Sequence, residues 1–159
     1  MRTPEWIKKL GGHAGELYVA AELSKRGIPN ALLRENFSDD DIIAGCKDGT
    51  SMCFIQVKAC HPDRASTFIL RETHEKWVGA PKNHFVVFVW LGSPRKNESP
   101  RCWIAPKRAV GKARRAHPAH GTSNWERRFS LEGRPRGSLR RQWQNNWAVF
   151  DPYRPQRVP

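Results

Sequence analysis

Residues 85–91 read FVVFVWL, seven apolar residues with no polar interruption. A run of this kind, without alternation, reads as a strand buried on both faces. It is far too short to cross a bilayer, which takes about 20 residues of helix. A strand apolar on both faces has to sit inside a sheet covered on each side. The 159 residues of the chain suffice for one such domain and fall short of two.

The rest of the sequence supplies the covering layers. AGELYVAAELSKR (14–26) sets apolar residues at 17, 20, 21 and 23 among good helix formers and ends in Lys-Arg before Gly27, a helix C-terminal signal. EWIKKL (5–10) reads as a short helical turn broken by Gly11-Gly12. ALLRENF (31–37) suits a strand or a helix. DIIAG (41–45), KDGT (47–50) and MCFIQVKA (52–59) read as strand, Asp-Gly hairpin turn and strand. STFIL (66–70) is a third strand, RETHEKWVG (71–79) a helix ending at Gly79, RCWIAP (101–106) a further strand and PKRAVGKARRA (106–116) a basic helix. Residues 117–140 are rich in Gly, Pro, Ser and Arg and read as irregular. RQWQNNWAVF (141–150) reads as a terminal helix or short strand, and 151–159 as a Pro-rich tail without fixed structure. The order predicts a single α/β domain over residues 1–150, a central mixed β-sheet flanked by helices.

Charge is divided unevenly. Residues 1–79 hold 11 Lys+Arg and 11 Asp+Glu, whereas residues 80–159 hold 17 and 4, the whole of the +13 net charge. A balanced front and a basic back point to a site on one part and a surface for a polyanion on the other. The candidate phosphate contacts are Lys107, Arg108, Lys112, Arg114 and Arg115, then Arg127, Arg128, Arg134, Arg136, Arg140 and Arg141. Trp103, Trp125, Trp143 and Trp147 lie among them; stacking on bases is one reading, and the core is the favoured one for Trp103. His61 and His74 lie near the central strands and read as surface histidines. There is no Gly-rich phosphate loop and no nucleophilic Ser–His arrangement. Cysteines at 46, 53, 60 and 102 form no CxxC pair, which argues against a zinc site and for buried reduced thiols. The start of the chain has no apolar stretch of signal-peptide type, so a cytoplasmic protein without membrane contact is expected.

Three residues interrupt the central apolar strands. Asp41 opens the first strand of the hairpin, at the rim of the sheet. Gln56 and Lys58, two apart in the second strand, share one face. Burying a lysine is costly unless an anion or a site accounts for it. Antiparallel pairing through the Asp-Gly turn brings Asp41 near both. Taken singly, Asp39-Asp40-Asp41 could be a solvated turn, Lys58 an edge lysine, and Glu16 a first-turn glutamate favouring the helix dipole.

Taken together, Asp41, then fourteen residues, then Gln56-Val57-Lys58, resembles the signature of PD-(D/E)xK nucleases. It is most similar to the Mrr-like and homing-endonuclease-like groups with Gln in the third position, and more loosely to archaeal Holliday junction resolvases. Those families carry a glutamate after a small residue on the first helix, matched here by Gly15-Glu16. The resemblance spans roughly residues 12–105 in element order. Two departures stand out: Asp40, not proline, precedes Asp41, and Gln56 replaces an acid. The resemblance implies a restriction-endonuclease-like fold and Mg²⁺-dependent cleavage of duplex or branched DNA leaving a 5′-phosphate, with Mn²⁺ able to substitute. Asp41, Gln56 and the Val57 backbone carbonyl would hold the metal, Glu16 would bind it through water or hold a second ion, and Lys58 would act on the water or the developing charge. It also implies a homo-oligomer. The rivals are a nucleic-acid-binding module of the same fold without turnover and an RNA-associated basic protein, the latter leaving the Asp41/Gln56/Lys58 spacing unexplained.

Overall fold

The computed structural model describes residues 4–34, 39–46, 48, 50–61, 67–71, 74–113, 117–118, 125–130 and 139–156. The first helix, α1, runs unbroken over Glu5–Lys25, so the expected break at Gly11-Gly12 does not occur. Each interior glycine costs about 1 kcal/mol relative to alanine. Good helix formers on both sides, and docking of Gly15, Val19 and Leu23 on the sheet, carry the helix through them. It stops where expected: Gly27 adopts φ +72°, and Ile28 N–H returns to the Leu23 carbonyl.

Strands β1 (Asn30–Leu32), β2 (Ile42–Gly45), β3 (Met52–Cys60), β5 (His84–Trp90) and β6 (Arg101–Pro106) form one sheet in the order β1-β2-β3-β5-β6. β3 and β5 run parallel; the other neighbours are antiparallel, so the sheet is mixed as predicted. The apolar run of β5 lies inside it. Phe85, Val87 and Val89 pack with Val19, Leu23, Ile55 and Val57 under α1. Val86 and Phe88 point the other way, among Trp77, Trp103 and Phe129. That second layer is built by α2 (His74–Val78), α3 (Lys107–Ala113) and a small sheet of β4 (Thr67–Leu70), β8 (Trp125–Ser130) and β7 (His117–Pro118).

This layer corrects two expectations. Thr67–Leu70 of STFIL is a strand, but it leaves the central sheet to pair with β8. The segment read as irregular contains β7 and β8. β8, WERRFS, lacks an apolar alternation, pairs with a strand distant in sequence, and contributes Phe129 to the buried second layer. At the C-terminus, 3₁₀ turns at Arg141–Trp143 and Trp147–Tyr153 replace the expected helix or strand. The latter takes in the start of the Pro-rich tail: Tyr153 packs edge-on to Phe85, and the Pro152 carbonyl accepts the Ser51 hydroxyl at 3.3 Å.

Trp143 and Trp147 are buried with Trp103, so none of the three presents a face for stacking on bases. The four cysteines are free, and burial pushes the thiols of Cys53, Cys60 and Cys102 up to about 12. Among the described residues no helix is long and apolar enough to cross a membrane.

Candidate functional site

β2 begins at Ile42, opposite Ile55, and Asp41 directly precedes it at the end of the strand. The Asp41 backbone bonds to both neighbours of β2: its N–H donates to the Ile55 carbonyl of β3 at 2.9 Å, and its carbonyl accepts the Leu33 N–H on the β1 side at 2.8 Å, so Asp41 sits at a break in the regular ladder. One residue on, its side chain takes over. Oδ2 accepts the backbone N–H of Val57 at 2.6 Å, in the place a backbone acceptor of β2 would otherwise fill. The N–H and C=O of one strand residue point to the same side. The Val57 carbonyl therefore opens beside Asp41, past the end of β2. The side chains of Cys53, Ile55 and Val57 go to the α1 core, which leaves Gln56 and Lys58 on the opposite face of β3. Gln56 is buried and Lys58 half-buried.

Burial pushes the Asp41 carboxyl above the ordinary carboxylate range, against the opposing pull of the Val57 N–H and the Lys58 ammonium; neighbouring Asp40 adds to the rise. Positive charge near this carboxylate therefore falls short of what its burial demands, and a bound cation would make up the difference. The donors are a carboxylate, an amide side chain and a backbone carbonyl, all hard oxygens of the kind Mg²⁺ and Mn²⁺ accept. Among the described residues no three His, Cys, Asp or Glu come together as a metal-holding group, so a cation here would depend on the amide and carbonyl oxygens.

Glu16 comes from α1. It is half-buried, with the Nδ1 atom of His13 at 3.8 Å, and lines a groove with Trp6, Lys9, Leu10, Leu32 and Leu33. The groove abuts the strand end through the Leu33–Asp41 hydrogen bond. Asp40, Lys58 and Lys107 act electrostatically on the Asp41 carboxyl. What fixes α1 here is Gly15. A Cβ built on it would lie 2.4 Å from the Ala59 Cβ, so helix and strand touch at backbone distance.

Sequence reasoning missed the polar cluster beside the site. Asp40 is 6% exposed; its Oδ1 lies 2.9 Å from Lys107 Nζ and its Oδ2 3.5 Å from His84 Nδ1. Lys107, also buried, rests over the Trp77 ring at 5.2 Å. Burial lowers the His84 pKa, with Asp40 opposing and Lys107 reinforcing the shift. These residues line a cavity of about 180 Å³ with Asp39, Lys76, Ala80 and Pro81. Asp39, by contrast, is exposed and paired with Lys76. The three consecutive aspartates thus have three different surroundings, and nothing in the triplet itself distinguishes them.

Of the candidate DNA contacts, Lys107 is not a surface cation, because its charge is turned inward to Asp40. Arg108 is half-buried and donates twice to the Ala80 carbonyl, at 3.2 and 3.0 Å. Lys112, Arg128, Arg140 and Arg141 are exposed. Arg114, Arg115, Arg134, Arg136 and the side chains of Arg127, Trp125 and His74 lie outside the described residues; His61 is half-buried.

No protein-family model matches the sequence, and no curated protein matches it. Among solved structures the chain is similar to a bacterial homing endonuclease, I-Ssp6803I, with a TM-score of 0.50 and 14% identity over 89% of each chain. It is also similar to Hjc, a Holliday junction resolvase from the archaeal hyperthermophile Archaeoglobus fulgidus, with a TM-score of 0.39 and 19% identity over 73% of this chain and 87% of that one. At these identities the likeness is one of fold. With its five-stranded mixed sheet between α1 and the α2–α3 layer, the chain has the restriction-endonuclease-like fold of the PD-(D/E)xK nucleases that its sequence resembles.

Proposed function

We propose that this protein is a divalent-cation-dependent DNA endonuclease that hydrolyses phosphodiester bonds at the open end of β2 and β3. The observation that carries the reading is the Asp41 carboxylate, bonded to the Val57 N–H at 2.6 Å beyond the end of β2. Asp41, the Gln56 amide oxygen and the Val57 carbonyl would hold the cation, with Glu16 contributing through water from the α1 side. When bound, Mg²⁺ or Mn²⁺ would polarise the phosphate and lower the pKa of an attacking water.

The protein's own residues do the rest. The hydrogen bond from Val57 fixes the Asp41 carboxylate relative to the Val57 carbonyl, so both oxygens hold one geometry. Lys58, on the strand face of Gln56, offers a fixed positive charge to the negative charge that develops on the phosphoryl oxygens. The exposed cations Lys112, Arg128, Arg140 and Arg141 would hold the DNA backbone without regard to sequence.

The test is cleavage of supercoiled plasmid and of branched DNA with Mg²⁺, Mn²⁺ or EDTA, by the native protein, Asp41→Ala and Lys58→Ala. Metal-dependent cutting, lost in both variants while DNA binding persists, is the expected result. Tight, salt-sensitive binding without cutting by any form would replace this reading with a binding module of the same fold. A preference for structured RNA over duplex DNA would replace it with an RNA-associated role.

A further inference from the structure

We infer that the outer face of α1 is a self-association surface, on which two copies of this chain pair antiparallel about a two-fold axis. α1 has two apolar faces. The inner one, Gly15, Val19 and Leu23, is buried on the sheet. The outer one holds Trp6 (63% exposed), Leu10 (59%) and Leu17 (48%). With His13, these residues follow one another at steps of four, three and four, the spacing of a helix–helix seam. A surface helix of a globular domain is ordinarily polar on its outer face. The exposed Leu32 lies across the groove from this part of α1 and extends the patch.

Charge selects the occupant. A chain of net charge +13 repels its own copies except where its charge is locally balanced, and the excess lies wholly in residues 80–159. The α1 face belongs to the balanced half. The same balance disfavours DNA as occupant, since an apolar seam offers the phosphates few cations.

The order of residues selects the direction. In an antiparallel pair centred between Gly11 and Gly12, Trp6 of one copy meets Leu17 of the other, and Leu10 meets His13. Lys9 and Glu16 lie on the same flank of the seam, two turns apart, so this pairing sets Lys9 of each copy near Glu16 of the other. A parallel pair would set His13 against His13 and carry the Lys9 and Glu16 flanks of the two copies to opposite sides of the seam, out of reach of each other. The contact is isologous and closes at two copies.

Sedimentation equilibrium of the full chain tests the inference. The native protein is expected to be a dimer. Leu10→Lys with Leu17→Lys is expected to weaken association at least about tenfold, as loss of buried apolar anchors does, with an unchanged circular-dichroism spectrum because both side chains are exposed in the single chain. Lys9→Glu is expected to weaken association, and Lys9→Glu with Glu16→Lys to restore it. Under mild oxidation, chains carrying Leu10→Cys are expected to cross-link to chains carrying His13→Cys more than either does to itself. A native protein that stays monomeric, or a dimer insensitive to Leu10→Lys with Leu17→Lys, overturns the inference. So does loss of DNA binding at an unchanged association state, which would assign the face to DNA.

Discussion

The carboxylate of Asp41 accepts the Val57 N–H at 2.6 Å and so extends by one side chain a ladder that the β2 backbone has left. Asparagine can accept the same bond without the charge, so Asp41→Asn separates the structural role from the chemical one. Burial raises the Asp41 pKa in the folded protein. The charged form therefore costs stability above that folded value, and the cost vanishes as pH falls below the unfolded value of 3.8. Asp41→Asn is expected to melt higher than the native protein at neutral pH, with the gap closing as pH drops through this window. Mg²⁺ is expected to raise the melting temperature of the native protein and leave that of Asp41→Asn unchanged. Thermal melts against pH and metal check both, and a variant less stable at neutral pH overturns the electrostatic account.

Gly15→Ala and Gly11→Ala are the same substitution on the same helix and should act in opposite directions. At Gly11 a Cβ meets nothing within 4 Å. Alanine there should stabilise by about 0.5–1 kcal/mol through helix propensity alone. At Gly15 the Cβ would lie 2.4 Å from the Ala59 Cβ, and neither atom is at the end of a flexible side chain. Overpacking of this kind costs about 1–3 kcal/mol. Denaturant titration measures both, and Gly15→Ala should also weaken cleavage by lifting α1 and Glu16 from β3.

Lys112, Arg140 and Arg141 are exposed, and each is a candidate phosphate ligand. Replacing any one by alanine should weaken DNA binding alike for all sequences. It should also lower the slope of log K against log salt by about 1 for each cation removed from the phosphates. An unchanged slope removes that residue from the DNA surface.

How far this was legible in advance depended on whether the signal was local. β5 announced itself in seven consecutive apolar residues, and the β2–β3 hairpin in an Asp-Gly turn between apolar runs. Asp41, Gln56 and Lys58 could be placed near one another because hairpin pairing links residues close in sequence. β8 could not, since its partner β4 lies more than fifty residues earlier and its own sequence is dominated by charge. Lys107 was misleading for the same reason. In sequence it begins a basic helix, and only the fold brings it to Asp40, sixty-seven positions earlier. The break expected at Gly11-Gly12 treated propensity as decisive where docking of the following turns outweighs it.

The Asp40–Lys107 pair yields a prediction that separates stability from DNA contact. Both residues are 6% exposed and 2.9 Å apart, with His84 and the Trp77 ring completing their surroundings. Lys107→Met keeps the volume of the stem but leaves the Asp40 charge buried without its ammonium. Breaking a buried pair from one side costs about 3–5 kcal/mol. Asp40→Asn together with Lys107→Met removes both charges and should recover most of that loss, because an amide and a thioether need far less solvation than the ions. At temperatures where each variant is folded, neither should change the salt slope of DNA binding, since Lys107 reaches no phosphate. Denaturation of the two single variants and the double variant gives the coupling energy directly. Additive losses would mean that the two side chains hold their places independently, and a reduced salt slope for Lys107→Met would return the residue to the DNA surface.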